Sequence, residues 1–262
     1  MSRRSACSCE FFMHVVDLNN TEASKTIGKI RTLLLPVGTL EAHGPHCSVA
    51  TDTIIPEKLA DEVDRLAKGR VLVGPSIHYG HTWRLKNWPG SLDISRKALA
   101  DYVFEVIRGY GESWKIKYAL IINGHGGNID ALHDAAERAA EIGIKTVVLS
   151  WWVGGFLDVL KQVVADPEGH AGEAETSLMM HAGERYVDKT LIPTKALDHS
   201  YKTVARLGDI YDSESNHAAY PQPYSGNPTA ATLEKGKILN EKLAKEILRV
   251  VDQLESGNAL VA

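Results

Sequence analysis

The sequence has few cysteines, no long apolar run and no excess of positive charge. Its three cysteines, Cys7, Cys9 and Cys47, lack C-x-x-C spacing, which argues against a disulfide scaffold and is typical of a reducing cytoplasm. No apolar stretch approaches the ~20 residues of a membrane-spanning helix, and the N-terminus has no signal-peptide pattern. The formal net charge of −4 offers no basic surface for nucleic acid. The expectation is therefore a cytoplasmic protein that binds neither membranes nor nucleic acid.

What the chain does have is a regular alternation of apolar and amphipathic segments. Ser95 and Asn128 are predicted to cap helices, and Gly143 to end one. This alternation predicts an α/β protein with a three-layer αβα arrangement and a mainly parallel sheet. No linker, repeat or low-complexity tract interrupts it, so residues 1–262 are predicted to form one domain. Four short apolar runs are typical of strands buried on both faces: 32–38, 70–75, 118–123 and 144–152.

Polar clusters follow the predicted strands, at the end of a parallel sheet where ligands usually bind. "TLEAHG" comes after the first strand, "NGHGGN" after the third, and "GHAGEAETS" after the fourth and a helical stretch. Imidazoles and carboxylates without thiolates suit Zn²⁺, Mn²⁺ or Fe²⁺. Their number exceeds the need of one catalytic zinc, which favours two ions sharing a bridging carboxylate. Glycines around His125 are attributed to a sharp backbone turn near the ions.

Other interpretations of these segments are available. "NGHGGN" could cradle a phosphate, but the dinucleotide fingerprint G-x-G-x-x-G would need glycine where Ile129 stands. Neither a P-loop nor the G-x-S-x-G nucleophile motif is present, so a nucleotide-binding module is the weaker alternative. Glu173 and Glu175 could simply favour a helix N-terminus, and Cys47 could be buried filler.

Together, "PVGTLEAHGPH…TDT", "NGHGGN" and "HAGEAETS" resemble the signature blocks of the creatininase (creatinine amidohydrolase) family, in its order and spacing over residues 30–185. The resemblance implies a dinuclear site at the carboxyl edge of the sheet, with two divalent ions per chain (Zn²⁺, Mn²⁺ or Fe²⁺). It implies that Glu41 and His125 hold one ion and that His43 and Glu173 hold the other. Asp52 would bridge the two.

The resemblance also assigns catalytic roles. His170 would transfer a proton and polarise the carbonyl group, and Glu173 would combine the roles of ligand and catalytic residue. Further residues are expected around the site: Trp152 and Trp88 on the substrate side, and Asn123 and Asn128 as hydrogen-bonding supports of the ligands, unless Asn128 is only a helix cap.

The implied function is hydrolysis of a C–N bond in a small cyclic amide, formamide or related carbonyl compound by metal-activated hydroxide. Creatinine itself is disfavoured, because Gly127 stands where creatininase has a metal-binding glutamate and Leu85 where many relatives have histidine. The alternative is non-amide chemistry, such as hydrolytic ring opening of a cyclic ketone, or ligand binding alone. A small-molecule substrate and a closed homo-oligomer, with a hexamer favoured, are implied. Segments 76–94 and 199–224 would supply apolar interface material.

Overall fold

The computed structural model describes residues 13–197 and 222–257. Its four strands form one parallel sheet in the order β2-β1-β3-β4, in which Leu34 of β1 pairs with Val73 on one side and Leu120 on the other. The four predicted strands are thus confirmed, although the second is shorter than 70–75. Their bounds are β1 (Thr32–Val37), β2 (Val71–Val73), β3 (Tyr118–Asn123) and β4 (Lys145–Ser150).

Helices connect the strands and cover the sheet. The hydroxyl of Ser95 accepts a hydrogen bond from the Ala98 N–H at 3.2 Å, so the predicted cap is confirmed, whereas Asn128 makes no such bond to its helix. Gly143 follows the fourth helix with φ +80°, a left-handed conformation that favours glycine. The helices of the described ranges are α1 (Asn20–Thr26), α2 (Thr51–Ala67), α3 (Arg96–Trp114), α4 (Ile129–Glu141), α5 (Gly155–Lys161), α6 (Glu173–Ala182) and α7 (Leu233–Ser256).

The sheet is buried on both faces, which confirms the three-layer α/β arrangement. Leu33 and Leu35 of β1 pack with apolar residues of α3 and α4 on one face. Leu34, whose side chain points to the opposite face, packs with α2, α6 and α7. No helix within the described ranges combines the length and apolarity that crossing a bilayer requires.

The strand order creates a crevice at the centre of the sheet. From β1 the chain passes through α2 to β2 at one edge, then through α3 back to β3 on the far side of β1, and through α4 to β4. The connections after β1 and β3 therefore leave towards opposite faces, since α2 and α4 lie in different layers. Ligands of open α/β sheets bind at the carboxyl ends of two such strands. The loop at 76–94 approaches the same edge, where Leu92 bridges to Leu40, while residues 199–221 of the second predicted interface segment lie outside the described residues.

Candidate metal centre

Five side chains from three segments meet at this crevice. Glu41, Asp52 and His125 form one group whose ligand atoms lie within 4.8 Å of one another, and His43, Asp52 and Glu175 form another. Asp52 belongs to both groups: its Oδ2 lies 2.9 Å from His125 Nδ1, and its Oδ1 lies 3.0 Å from His43 Nε2. Glu41 Oε2 is 3.4 Å from His125 Nδ1, and Glu175 Oε2 is 3.7 Å from His43 Nε2. The two oxygens of one carboxylate therefore face two separate sets of ligands.

Close backbone packing fixes the position of Asp52. Pro56 within α2 lacks the backbone N–H that would normally donate to the Asp52 carbonyl, four residues earlier. This carbonyl packs instead against glycines of two neighbouring loops. A Cβ would lie 2.4 Å from the carbonyl oxygen at Gly38 and 1.8 Å at Gly124. Neither glycine has a positive φ. Glycine is therefore required here by the close approach of the Asp52 carbonyl, and not by the sharp backbone turn expected from the sequence.

Backbone carbonyls orient the imidazoles of the site. Each of three histidines places one ring nitrogen against a carbonyl oxygen, which leaves the other nitrogen facing the cluster. Such bonds fix the tautomer of metal-binding histidines, because the outer nitrogen carries the proton and the inner one keeps its lone pair. The bonds run from His43 Nδ1 to Glu41 O (3.0 Å), from His125 Nε2 to His81 O (3.0 Å) and from His170 Nε2 to Ala42 O (2.9 Å).

Buried charges hold one another in the ionised state. Burial lowers the pKa of His43, but the Asp52 carboxylate outweighs it and raises this pKa to about 10. Burial likewise lowers the pKa of His125, while Glu41 and Asp52 raise it to about 9. In turn, His43 and His125 keep the pKa of Asp52 below its usual range against the effect of burial. In a metal-free chain at neutral pH, the inner nitrogens of both histidines therefore carry protons that a metal would replace.

The pKa values of Glu41 and Glu175 are raised and that of His170 is lowered, which is opposite to the shifts of Asp52 and His43. Burial raises the pKa of Glu41 to about 7 and that of Glu175 to about 7. Burial and the positive charge of His43 lower the pKa of His170 to about 3, so this imidazole is neutral. Its Nδ1 lies 3.9 Å from Glu41 Oε2, and its ring centroid lies 4.2 Å from that of His43. His170 thus lines the cavity beside the cluster, and together with Glu41 and His43 it forms a third group whose ligand atoms lie within 4.8 Å of one another.

The donor set fits divalent metal ions. His43 Nε2 and Asp52 Oδ2 are buried and have no hydrogen-bond partner in the described residues, although His43 Nε2 lies at ion-pair distance from Asp52 Oδ1 and Asp52 Oδ2 from His125 Nδ1. Buried polar atoms of this kind are costly unless something satisfies them. Imidazole and carboxylate ligands without thiolate match Zn²⁺, Mn²⁺ or Fe²⁺. The side chains that would hold such ions are Glu41, His43, Asp52, His125 and Glu175.

The position predicted for Glu173 is wrong, because its neighbour Glu175 occupies the cluster. Glu173 is fully buried on the other side of α6, where its carboxylate accepts hydrogen bonds from Lys235 Nζ at 2.6 Å and from two backbone N–H groups, those of Ala165 and Asp166. All of its oxygens are satisfied, and it does not line the cavity. Glu173 therefore anchors the chain before His170, and neither its ligand nor its catalytic role agrees with this geometry.

Two asparagines support the loops that carry the ligands. Asn123 Oδ1 accepts from the His125 N–H at 3.0 Å, and its amide donates to Ser150 Oγ at 3.0 Å. Asn128 Oδ1 accepts from the His81 N–H at 2.9 Å, and its amide donates to the Gly38 carbonyl at 3.1 Å. Asn128 thus ties three loops together and is not a helix cap. Nothing in the local sequence indicates this role, nor that of the His81 carbonyl beneath His125.

A cavity of about 610 Å³ opens onto the cluster. Trp152, predicted on the substrate side, lines it together with Trp151 and Trp83. Trp88 is half-buried and is not part of the lining, so the structure does not bring it to the site as predicted. At Gly127 a Cβ would lie 2.1 Å from the His81 carbonyl oxygen and 2.6 Å from His125 Nε2, so no larger side chain fits there in this backbone.

The chain is similar to known hydrolases over most of its length. A family profile described as Creatininase, creatinine amidohydrolase, matches residues 16–251. The chain is 32% identical over 212 residues to the mycofactocin precursor peptide peptidase of Mycolicibacterium smegmatis, covering 78% of each chain. It is 27% identical over 251 residues to the 3-dehydro-scyllo-inosose hydrolase of Thermotoga maritima, covering 86% of this chain and 79% of that one. A creatininase point variant described as Zn-Zn type superposes with a TM-score of 0.73 at 25% identity, covering 92% and 97%.

Proposed function

Because the chain belongs to the creatininase family and is therefore a metal-dependent hydrolase, we propose that it hydrolyses a C–N bond of a small cyclic amide, formamide or related carbonyl compound. One observation carries this proposal: the two oxygens of Asp52 face two different histidines, each beside a further carboxylate. Paired metals that share a bridging carboxylate are typical of hydrolytic sites.

We propose two ions per chain, one held by Glu41, Asp52 and His125, the other by His43, Asp52 and Glu175. Divalent ions in such sites supply an activated water as nucleophile and an electrophile for a carbonyl oxygen. The ligands suit Zn²⁺, Mn²⁺ or Fe²⁺, and the Zn-Zn type of the similar creatininase supports zinc as one of the choices.

His170 is proposed to carry the proton. Its Nε2 is held against the Ala42 carbonyl at 2.9 Å, which places the proton of the neutral ring on Nε2 and directs Nδ1 towards the cluster. A neutral imidazole in this position takes a proton from the attacking water at Nδ1 and returns it to the leaving nitrogen. Both halves of the transfer use the same atom, and the hydrogen bond to Ala42 keeps the ring in place throughout.

The rest of the cavity positions the substrate. Trp151 and Trp152 meet edge to face with ring centroids 5.6 Å apart and form an apolar part of the cavity wall. Such a wall keeps water away from the face of a bound amide and favours a flat or cyclic compound. We propose a substrate other than creatinine, because the backbone at Gly127 leaves no space for the additional metal-binding glutamate expected of creatininase.

Ring opening of a cyclic ketone is the second candidate. The similarity to the 3-dehydro-scyllo-inosose hydrolase favours it, because that relative is named for a hydrolase reaction on an inosose. The same cluster would serve either reaction. The two reactions differ in the leaving atom. A leaving nitrogen needs a proton from His170, whereas a leaving carbon departs as an enolate, which is protonated afterwards.

A hydrolysis panel on metal-loaded protein tests the proposal. Cyclic amides, formamides and short peptides are assayed for release of amine, and cyclic ketones for acid production, with Asp52→Ala as the inactive control. We expect amine release from a compound of the first group by the wild-type chain alone. Acid production from ketones only would replace the proposal by the second candidate. A metal-loaded chain that cleaves no member of either group would reduce the protein to a binding function.

A further inference from the structure

Arg84 is a cation in the wall of the cavity with which no described side chain forms an ion pair. It is exposed and lies in the loop 76–94, whose residues His81, Trp83 and Leu85 line the cavity beside it. Throughout residues 13–197 and 222–257 the guanidinium has no hydrogen-bond or ion-pair partner. It lines the same cavity as Glu41, Asp52 and His125 of the metal cluster.

The neighbouring cations are already engaged. Lys86 places its ammonium group 3.3 Å from the centroid of the Trp83 ring, a cation–π contact on the same segment. Arg96, which also lines the cavity, pairs with Asp130 at 2.9 Å. Arg84 therefore differs from both, because it lines the cavity and its donors have no partner among the described residues.

The carboxylates of the cavity do not supply a partner. Glu41, Asp52 and Glu175 belong to the metal cluster, Asp130 pairs with Arg96, and Glu168 is engaged elsewhere. Three carboxylates and an activated hydroxide would together balance two divalent ions, since the histidines bind as neutral ligands. The positive charge of Arg84 in the cavity wall is therefore not needed to balance the loaded cluster.

We propose that the substrate carries an anionic group, a carboxylate or a phosphate, which Arg84 binds while the scissile carbonyl lies at the cluster. This inference rests on the proposed function and names its substrate class. The planar fork of a guanidinium matches both groups with two parallel N–H···O bonds, and such bonds to a charged acceptor are the stronger kind. Arg84 would then select substrates and set the direction in which they bind.

The test uses sets of probes at two lengths, and the probes of each set differ only at one end. Binding of succinate, 3-phosphonopropionate and the uncharged-end analogue succinamate to metal-loaded protein is measured by titration calorimetry, with glutarate and glutaramate as the longer pair. We expect one carboxylate of every probe to bind the cluster. The ratio of the dissociation constant of the amide to that of the doubly anionic probe then measures how much the second anionic group adds to binding. In the wild-type chain we expect one of the doubly anionic probes to bind roughly tenfold more tightly than its amide. The tighter of succinate and 3-phosphonopropionate identifies the anion.

Variants assign the effect to Arg84. In Arg84→Gln the ratio should fall to about one, while Lys86→Gln, which removes the cation over Trp83, should keep it. A wild-type ratio near one at both lengths, or a ratio that survives in Arg84→Gln, overturns the inference. If the amides bind and the dianions bind no better, only the anion site is wrong. If no probe binds to the metal-loaded chain, the anion site is wrong, while amine release in the hydrolysis panel decides separately whether the hydrolytic site is right.

Discussion

The role of each histidine depends on which atoms its inner nitrogen faces. His43 and His125 point at the two oxygens of Asp52 from 3.0 and 2.9 Å, so an ion placed beside either nitrogen also reaches the carboxylate. His170 is farther out, with its inner nitrogen 3.9 Å from Glu41 Oε2 and its ring along the cavity. This difference is the reason to assign His170 to proton transfer and the other two to metal binding.

Replacing His170 by alanine should therefore separate turnover from metal content. The His170→Ala chain is expected to keep both ions, since Asp52, Glu41 and Glu175 remain, while turnover falls by roughly two to four orders of magnitude. Elemental analysis and the assay on the substrate found by the panel measure the two quantities. His133→Ala, an exposed histidine of α4, is the control and should change neither. Loss of an ion from folded His170→Ala would make this residue a ligand.

At single positions, the sequence could predict the motif residues but not their neighbours in space. Glu41, His43, Asp52 and His125 lie in distinctive blocks, and the structure brings them together. The motif contains both Glu173 and Glu175, and residues two apart on a helix point to nearly opposite sides. The motif alone therefore does not show which of the two glutamates faces the ions. The choice is settled by Lys235, which lies 62 residues later in the sequence and binds Glu173.

At the scale of elements, the cluster depends on how closely the first turn of α2 approaches the loop after β3. In Gly124→Ala the new methyl group would start 1.8 Å from the Asp52 carbonyl oxygen, so α2 or the loop must shift. We expect a loss of about 1–3 kcal/mol in the free energy of unfolding and weaker metal retention. Gly126→Ala is the matched control, because no atom lies within 4 Å of its Cβ position. Equal metal retention in the two variants would show that this contact does not position Asp52.

The contact between α6 and α7 depends on Glu173. Glu173→Ala leaves the Lys235 ammonium and the backbone N–H groups of Ala165 and Asp166 without their acceptor. We expect a loss of about 2–4 kcal/mol in the free energy of unfolding, measured by chemical denaturation, with metal content unchanged. Glu175→Ala should behave in the reverse manner, losing metal at a smaller cost in stability. Metal loss in Glu173→Ala at full stability would restore the ligand role that the sequence suggested.

Elements with a strong pattern were predictable, and the loops between them were not. Apolar runs indicated all four strands, and the hydroxyl of Ser95 marked the start of α3. The role of Asn128 could not be read in this way, because its partners, the His81 N–H and the Gly38 carbonyl, come from two distant loops. A side chain that serves long-range contacts looks the same in the sequence as one that caps a helix.

At the scale of the whole molecule, the strand order places the ligands. Because β1 and β3 are neighbours and their connections diverge, Glu41, His43 and His125 come to one crevice from segments far apart in sequence. Asp52 enters from the helix that follows β1, and Glu175 from the layer on the same face of the sheet. The order of the strands in the parallel sheet therefore accounts for the meeting of these ligand residues at one end of the sheet.

Assembly into a closed homo-oligomer, with a hexamer favoured, remains a prediction. The segment 76–94 exposes Tyr79 by 52% and Leu92 by 41%, and apolar side chains of this kind are typical of interfaces. Light scattering at micromolar concentration should give a mass well above that of one chain, and Leu92→Lys should lower it. Leu233→Lys, at another exposed leucine, is the control and should leave the mass unchanged. A monomeric wild-type chain contradicts the prediction.

The most direct test of the two-metal account is the metal content of Asp52→Ala. Wild-type chain loaded with Zn²⁺ or Mn²⁺ and then desalted should retain about two ions, as a dinuclear site requires. Asp52→Ala should retain almost none, because the carboxylate serves both ions. Asp64→Ala is the matched control: Asp64 is also buried on α2, but it accepts the Met13 N–H at 2.7 Å, away from the cluster. The account predicts two ions in this control. A wild-type chain that holds a single ion, or an Asp52→Ala chain that keeps both, would contradict it.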